Sequence, residues 1–465
     1  MAEAAPQKKL TLLDSTTIIM GSMIGSGIFI VSTDIARQVQ TPGMLLLAWA
    51  VTAVITILGA LSYGELAAMM PKAGGQYVYL KEAYNPMFGF LYGWTLFAVI
   101  QTGTIAAVAM AFALFTGVFI PQISPNHHLF EIGSFAVSTQ QVVAIAVIVF
   151  LSVYNYRDVK AGALLQNIFS ITKVVALLLL VILGIYFGVK NAGAVSNFTP
   201  AFPDVISWTT IAVFGAALTG SLFSADAWNN ITYTAGEVKN PQRNLPLSLF
   251  IGTAVVLSLY FLANVAYISV LGMDGIAAAD NKRLGTVMMQ SILGEHGNLF
   301  MAAMIMVSTF GCLNGIIFTA ARVYYAMAKD KLFFRPAAHL NKNGVPAKSL
   351  TMQCIWASAL CFSGSYGDLL DYVMFAVMIF YVLTVTGLFI LRFKKPDAER
   401  PYRTFGYPIL PGIYVLLAAL VSYFMLINNN SNCLRGLAIM LIGIPVYYIF
   451  KSTNKGDVVQ DVGTT

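Results

Sequence analysis

This sequence is short of charge. Asp, Glu, Lys and Arg make up 10% of its 465 residues against 58% hydrophobic ones, whereas a soluble globular chain runs near a quarter charged. A water-soluble fold of this length is excluded, and the mean hydropathy of +0.75 agrees. Cysteine is scarce: Cys312, Cys354, Cys361 and Cys433 are the full set, none paired at metal-ligand spacing. They are read as packing residues, and no metal is expected. Histidine is equally thin, with His127, His128, His296 and His339 all in predicted loops and no His-Glu-x-x-His or glycine-rich nucleotide motif. Intramembrane metal hydrolysis is thereby disfavoured, no cofactor is expected, and the chain is not read as an enzyme. It also lacks the filter sequence that would ring a channel.

What is present is a series of long apolar runs. A helix crosses a hydrocarbon core of roughly 30 Å with about 20 apolar residues, so the length leaves room for about a dozen crossings in one transmembrane domain, 1–465. The runs predict spans near 12–37, 43–70, 86–118, 139–155, 161–188 and 207–235, then 245–271, 297–327, 348–366, 369–392, 407–428 and 432–451. The first run is longer than a signal-peptide core and ends without a cleavage pattern, so it is expected to stay in the mature chain. With both termini placed in the cytoplasm, inner loops collect Lys8, Lys9, Lys72, Lys81, Arg157, Lys239, Arg243, Lys348, Arg392 and Lys455 among others, while Arg37, Lys190, Lys282, Arg283 and Arg435 fall outside. That bias, about four to one, satisfies the positive-inside rule for a multi-pass inner-membrane protein with short cytoplasmic tails. The net charge of +7 is then topological, and no nucleic-acid partner is expected.

Prolines such as Pro71, Pro86, Pro246 and Pro408 stand at span ends, where a missing N–H is tolerated. Two spans are interrupted instead by small residues. The first carries Gly21, Gly25, Ser26 and Gly27, and the sixth carries Gly215, Gly220, Ser221, Ser224 and then Asp226. Their separation is the one expected if two inverted repeats, about 12–188 and 207–392, are followed by two extra helices over 407–451.

A helix broken at mid-membrane strands backbone groups, each costing several kcal/mol in lipid unless something polar meets it. A zwitterion suits both kinds of stranded group: its carboxylate the freed N–H groups, its ammonium the freed carbonyls. Gly25-Ser26-Gly27 is the natural carboxylate cradle, since glycine permits close approach and Ser26 adds a hydroxyl. Phe223-Ser224-Ala225-Asp226 is the natural ammonium site, with Phe223 placed to close over a solute. Gly21-x-x-x-Gly25 also reads as a helix-packing motif, and Phe223 as a core aromatic. Lys173 lies deep in the fifth span, where a charge costs at least about 2.5–3.5 kcal/mol and must face the bundle interior. Three roles stand open for it: an ion pair with Asp226, a fixed cation where a metal ion would bind, or a proton carrier. Trp49, Trp94, Trp208 and Trp356, near span ends, read as interfacial anchors.

Several segments together resemble the L-type amino acid transporters, light-subunit-like members of the amino acid, polyamine and organocation superfamily. They are Gly25-Ser26-Gly27-Ile28-Phe29; Ser62-Tyr63-Gly64-Glu65-Leu66 with Pro71-Lys72-Ala73-Gly74-Gly75-Gln76-Tyr77; Glu237-Val238-Lys239-Asn240-Pro241-Gln242-Arg243-Asn244-Leu245-Pro246; Phe310-Gly311-Cys312-Leu313-Asn314-Gly315; and Glu399-Arg400-Pro401-Tyr402. The resemblance runs from about Leu12 to Tyr448. It implies an all-α, twelve-helix, LeuT-like 5+5 inverted-repeat fold with two C-terminal helices, helices one and six broken, and sodium-independent exchange of L-amino acids by alternating access. It further implies that Ser26 and Gly27 hold the substrate carboxylate and that carbonyls of Met23, Phe223 and Asp226 take its ammonium. Phe223 would be the gate, Lys173 the lysine that replaces a sodium ion by bridging helices one and eight, and Thr102, Gly103, Thr104 and Asn229 the rest of the side-chain pocket.

The sequence departs from the family pattern twice. The break reads Phe223-Ser224-Ala225-Asp226-Ala227-Trp228, replacing the family's tyrosine and glycine; Asp226 matches members that accept cationic substrates and others that prefer small neutral ones. The loop from Pro121 to Gln140 lacks the cysteine through which animal members bond a glycoprotein, so no disulfide-linked heavy subunit is expected. Partners are the lipid bilayer and L-amino acids, small or medium neutral ones favoured. Proton-coupled uptake and an amino-acid sensor without sustained flux are the alternatives.

Overall fold

The computed structural model describes residues 10–132, 135–156, 159–190, 195–279, 283–362, 366–428 and 430–453. Lys8, Lys9, Arg157, Lys282 and Lys455 of the charge pattern lie outside the described residues. The first apolar run forms two helices, α1 (Leu12–Met23) and α2 (Val31–Val39), joined by a 3-10 turn at Gly27–Phe29. A long α3 (Pro42–Met69) is followed by a short α4 (Gln76–Ala83). One span is then built from α5 (Pro86–Thr95), a π turn (Leu96–Ile100) and α6 (Gln101–Phe119). The antiparallel hairpin of β1 (His128–Ile132) and β2 (Phe135–Ser138), with Phe130 opposite Val137, leads into α7 (Thr139–Asn155) and α8 (Val159–Lys190).

The second half opens with α9 (Trp208–Ser224), which breaks before a 3-10 stretch, Trp228–Glu237. Six helices follow: α10 (Pro241–Ala277), α11 (Leu284–Leu293), α12 (Glu295–Lys329), α13 (Ala347–Leu360), α14 (Tyr366–Lys394) and α15 (Ile409–Asn428). The last helix is α16 (Asn430–Thr453). Among the described residues, 10 helices are long and apolar enough to cross a membrane. Of the two other predicted spans, the fourth is the 17-residue α7 and the ninth the 14-residue α13. The hairpin, α4 and α11 fall where loops were expected.

Local chemistry explains the boundaries. Thr11 caps α1 reciprocally: its hydroxyl accepts the Asp14 N–H at 3.3 Å and its own N–H donates to the Asp14 carboxylate at 2.9 Å. Pro42, Pro86 and Pro241 open their helices, where a missing N–H costs nothing. In α8, Gln166, Ser170, Lys173, Leu177 and Leu180 form a buried face, while Ile168, Ile171, Val175 and Ile182 are exposed on the other. Lys173 therefore faces the interior, as its charge requires. The tryptophans divide. Trp208 and Trp356 are exposed, but Trp49 is 1% exposed and packs edge-on against Tyr260, with ring centroids 5.4 Å apart; it is a core residue, because α3 is buried along the side that carries it.

In lipid, helix association depends on close contact rather than on apolar burial. A Cβ on Gly21 would fall 2.1 Å from Ser170 Oγ and 2.4 Å from Gln166 Nε2, so α1 lies directly against α8 and the packing reading of Gly21 holds. α1 also packs on α10 and α12, and α9 on α2, α3, α14 and α15. Leu10 ties the two interrupted segments together: its N–H donates to Glu237 O at 2.9 Å and its carbonyl accepts from Lys239 N at 2.8 Å.

Candidate functional site

α1 ends at Met23, and the last carbonyls of any helix have no partner within it. Here neighbouring helices supply the donors. Lys173 Nζ, 1% exposed, donates to Gly21 O at 2.5 Å and Ile24 O at 2.9 Å. Ser308 Oγ reaches Ile24 O at 3.1 Å and Gly25 O at 3.3 Å, Cys312 Sγ reaches Ser22 O at 3.0 Å, and Tyr260 reaches Met23 O at 2.9 Å. The ammonium of Lys173 thus sits at the negative end of a half-helix, where a cation is favoured. A Cβ on Gly311 would lie 3.5 Å from Lys173 Cε, so the side chain threads between α1 and α12. Of the three roles open to Lys173, the ion pair with Asp226 is not formed; the carboxylate is engaged elsewhere.

The second break is held differently. Ala225 N–H closes on Ser221 O at 3.0 Å and Asp226 N–H on Phe223 O at 3.2 Å. Ala227 then takes φ +66°, a left-handed conformation that costs a residue with a Cβ about 1–2 kcal/mol. Tyr381 of α14 grips the turn through its side chain, donating to Asp226 Oδ1 at 2.5 Å.

The two breaks face each other. A Cβ on Gly27 would fall 2.2 Å from Ser224 Oγ and 2.9 Å from Ser224 Cα, so only glycine allows this approach. Between them lies a cavity lined by Ser26, Gly27, Phe223, Asp226, Thr104 and Cys312, of about 20 Å³ as traced by the centre of a water-sized sphere. That space suits a water molecule rather than an amino acid. A smaller space of about 10 Å³ lies on the other side of Asp226, lined by Gln101, Asn229, Asn230, Tyr233 and Tyr381 among others. Around it Asn229 Nδ2 donates to Gln76 Oε1 at 3.1 Å, and the Tyr92 and Tyr233 hydroxyls meet at 2.6 Å. The amide nitrogens of Gln101 and Asn230 are buried there without a partner.

Met23, Gly25, Ser26, Gly27, Phe223, Ser224, Asp226 and Thr104 all line the first cavity. Ala225 is buried within the turn, and Asn229 lines the second space. Thr102 and Gly103 line neither: Thr102 Oγ1 donates to Phe97 O at 2.6 Å, and a Cβ on Gly103 would meet Val373 at 2.8 Å. The π turn ahead of them shifts the helix phase, which leaves Thr104 on the cavity wall. Cys312, Tyr381, Ser308 and Tyr260 were missed. Cys312 had a signal in its family-like segment; the others are ordinary residues of apolar spans.

Comparison with known proteins gives the family. Residues 10–448 match the family described as amino acid permease. The chain is 31% identical to the large neutral amino acids transporter small subunit 2 of Homo sapiens over 96% of its own length and 81% of the relative's. It is 29% identical to the b(0,+)-type amino acid transporter 1 of Mus musculus, over 96% and 88% of the two chains. It is also 29% identical to the serine/threonine exchanger SteT of Bacillus subtilis (strain 168), over 96% and 97%. With its apolar helices and two facing helix breaks, the chain belongs to the amino acid permease family and resembles its L-type transporters.

Proposed function

We propose that this amino-acid transporter is a sodium-independent exchanger of small or medium neutral L-amino acids, with cationic ones admitted through Asp226, working by alternating access. The observation that carries the reading is the Lys173 ammonium on the carbonyls of Gly21 and Ile24. A side-chain ammonium already occupies carbonyls of the kind a sodium ion would need. The substrate's charges then complete what the two breaks leave over: its carboxylate at the N–H groups of Ser26 and Gly27, which open a helical turn, and its ammonium at the second lone pair of Met23 O and the carbonyls of Phe223 and Asp226. Phe223, on the cavity wall, closes over it. Differential binding to the closed state then favours occlusion.

The reading includes twelve spans in a LeuT-like 5+5 arrangement, with α7 and α13 as the two short crossings. It places both termini in the cytoplasm of a cell with an inner membrane. The chain acts without a disulfide-linked heavy subunit, a reading supported by a 121–140 stretch with no cysteine. Proteoliposomes loaded with unlabelled amino acids test the exchange: labelled serine, alanine or leucine should enter by counterflow, equally well with sodium replaced by choline. Saturable binding without counterflow would make the chain a sensor instead. Proton coupling is the second reading, favoured by the buried Asp226–Tyr381 pair. It requires uptake into unloaded liposomes that follows an imposed pH gradient.

A further inference from the structure

Three of the family-like segments play little part in the cavity, and the structure brings them together at another place. Glu65, wholly buried on α3, accepts from Arg392 Nη2 at 2.6 Å and from Thr404 N–H at 2.7 Å, with Arg400 Nε 3.4 Å away. Arg392 also stacks on the Tyr407 ring at 3.6 Å, and the other nitrogens of Arg400 donate to carbonyls such as Lys395 O at 2.8 Å. The 395–408 connection is thereby fixed to the end of α3, and both Arg392 of α14 and Arg400 of the connection are committed.

Against this fixed connection lies a groove of about 850 Å³ between α3, α10 and the connection, walled by Leu61, Pro246, Leu247, Phe250, Tyr402 and Phe405. A Cβ on Gly64 would lie 3.1 Å from Tyr402 and 3.2 Å from Pro246, so the three segments meet at van der Waals contact there. Gln242 and Arg243 also line the groove. Arg243 is exposed and, among the described residues, holds no carboxylate. Leu247 and Phe250 stand one and two turns farther along α10, about 6 Å and about 10 Å from Arg243 by helical rise. Beside the groove, Phe405 is 72% and Ile409 67% exposed, an apolar surface of the kind that lipid covers.

We propose that this groove seats one anionic phospholipid of the bilayer, its phosphate on Arg243 and an acyl chain along Leu247 and Phe250. Charge complementarity and the change from cationic to apolar along α10 select this occupant. A zwitterionic lipid would bring a second cation beside the guanidinium; a basic site at a helix end on an apolar wall favours an anionic headgroup.

The test is native mass spectrometry of the delipidated full chain in micelles, titrated with phosphatidylglycerol or with phosphatidylcholine of the same chains. A tightest adduct that prefers phosphatidylglycerol is expected. Arg243→Gln should weaken that adduct about fivefold and phosphatidylcholine by less, while Lys348→Gln, an exposed cation outside the groove, should change neither. Leu247→Trp, which fills the apolar end, should weaken both lipids. Equal binding of the two lipids by the unaltered chain, indistinguishable Arg243→Gln and Lys348→Gln variants, or a Leu247→Trp variant that binds both lipids normally would each overturn the proposal. So would displacement of the adduct by millimolar inorganic phosphate, which would assign Arg243 to a free anion.

Discussion

The two helix breaks solve one problem by opposite means. At the first, glycines bend the chain without strain, and side chains from three other helices meet the stranded carbonyls: Lys173 from α8, Ser308 and Cys312 from α12, and Tyr260 from α10. At the second, an alanine holds a left-handed turn, and Tyr381 of α14 grips the turn by donating to the Asp226 carboxylate. The first break is braced from several sides, whereas the second carries strain in its own backbone. Strain of this kind persists only where the surroundings enforce it, and functional sites are where it collects.

Lys173→Ala attacks the braced side hardest. Two hydrogen bonds from a charged donor, each worth about 1.5–3 kcal/mol, vanish at once, and counterflow in proteoliposomes should fall on the order of 100-fold while the protein still inserts. Normal uptake by that variant would show that the first break does not need its cation. Gly27→Ala tests the contact between the breaks: overpacking against Ser224 costs about 1–3 kcal/mol, so transport should drop roughly tenfold, partly recovered by adding Ser224→Gly. For the second break, Asp226→Asn keeps an acceptor for Tyr381 and removes the charge. Competition by lysine or arginine should weaken by about tenfold relative to alanine, and equal losses for both classes would mean that the carboxylate does not read side-chain charge. The smallest effect belongs to Ala227→Gly, which relieves the left-handed turn by less than about 1 kcal/mol after the added chain entropy. Thermal unfolding should shift upward by a few degrees at most, and a downward shift would remove strain from the comparison.

Much of this contrast could be read before any coordinates. A lysine deep in an apolar span has few acceptable surroundings, and its interior position followed from the cost of charge in lipid. The glycine cluster at 25–27 and the acidic turn at 226 were equally plain, because breaks in membrane helices demand polar company. The bracing was hidden. Tyr260, Ser308 and Tyr381 meet the breaks only through tertiary packing, and nothing in their neighbourhoods distinguishes them from other residues of apolar helices. Thr102, Gly103 and Thr104 could not be separated without the π turn at Leu96–Ile100, since an extra residue in one turn rotates everything beyond it. Trp49 looked like an interfacial anchor because its distance from a span end was known and the side it faced was not. The helix α11 and the 128–138 hairpin were too short to stand out between long apolar runs.

The main-chain stitch at Leu10 has a mechanical meaning. Glu237 and Lys239 hold that residue through peptide groups rather than side chains, so a change of the Leu10 side chain leaves both bonds' donors and acceptors in place. The near ends of both interrupted segments share one handle: a tilt applied to either is delivered to the other. Such a joint couples the two interrupted segments, however differently their breaks are made.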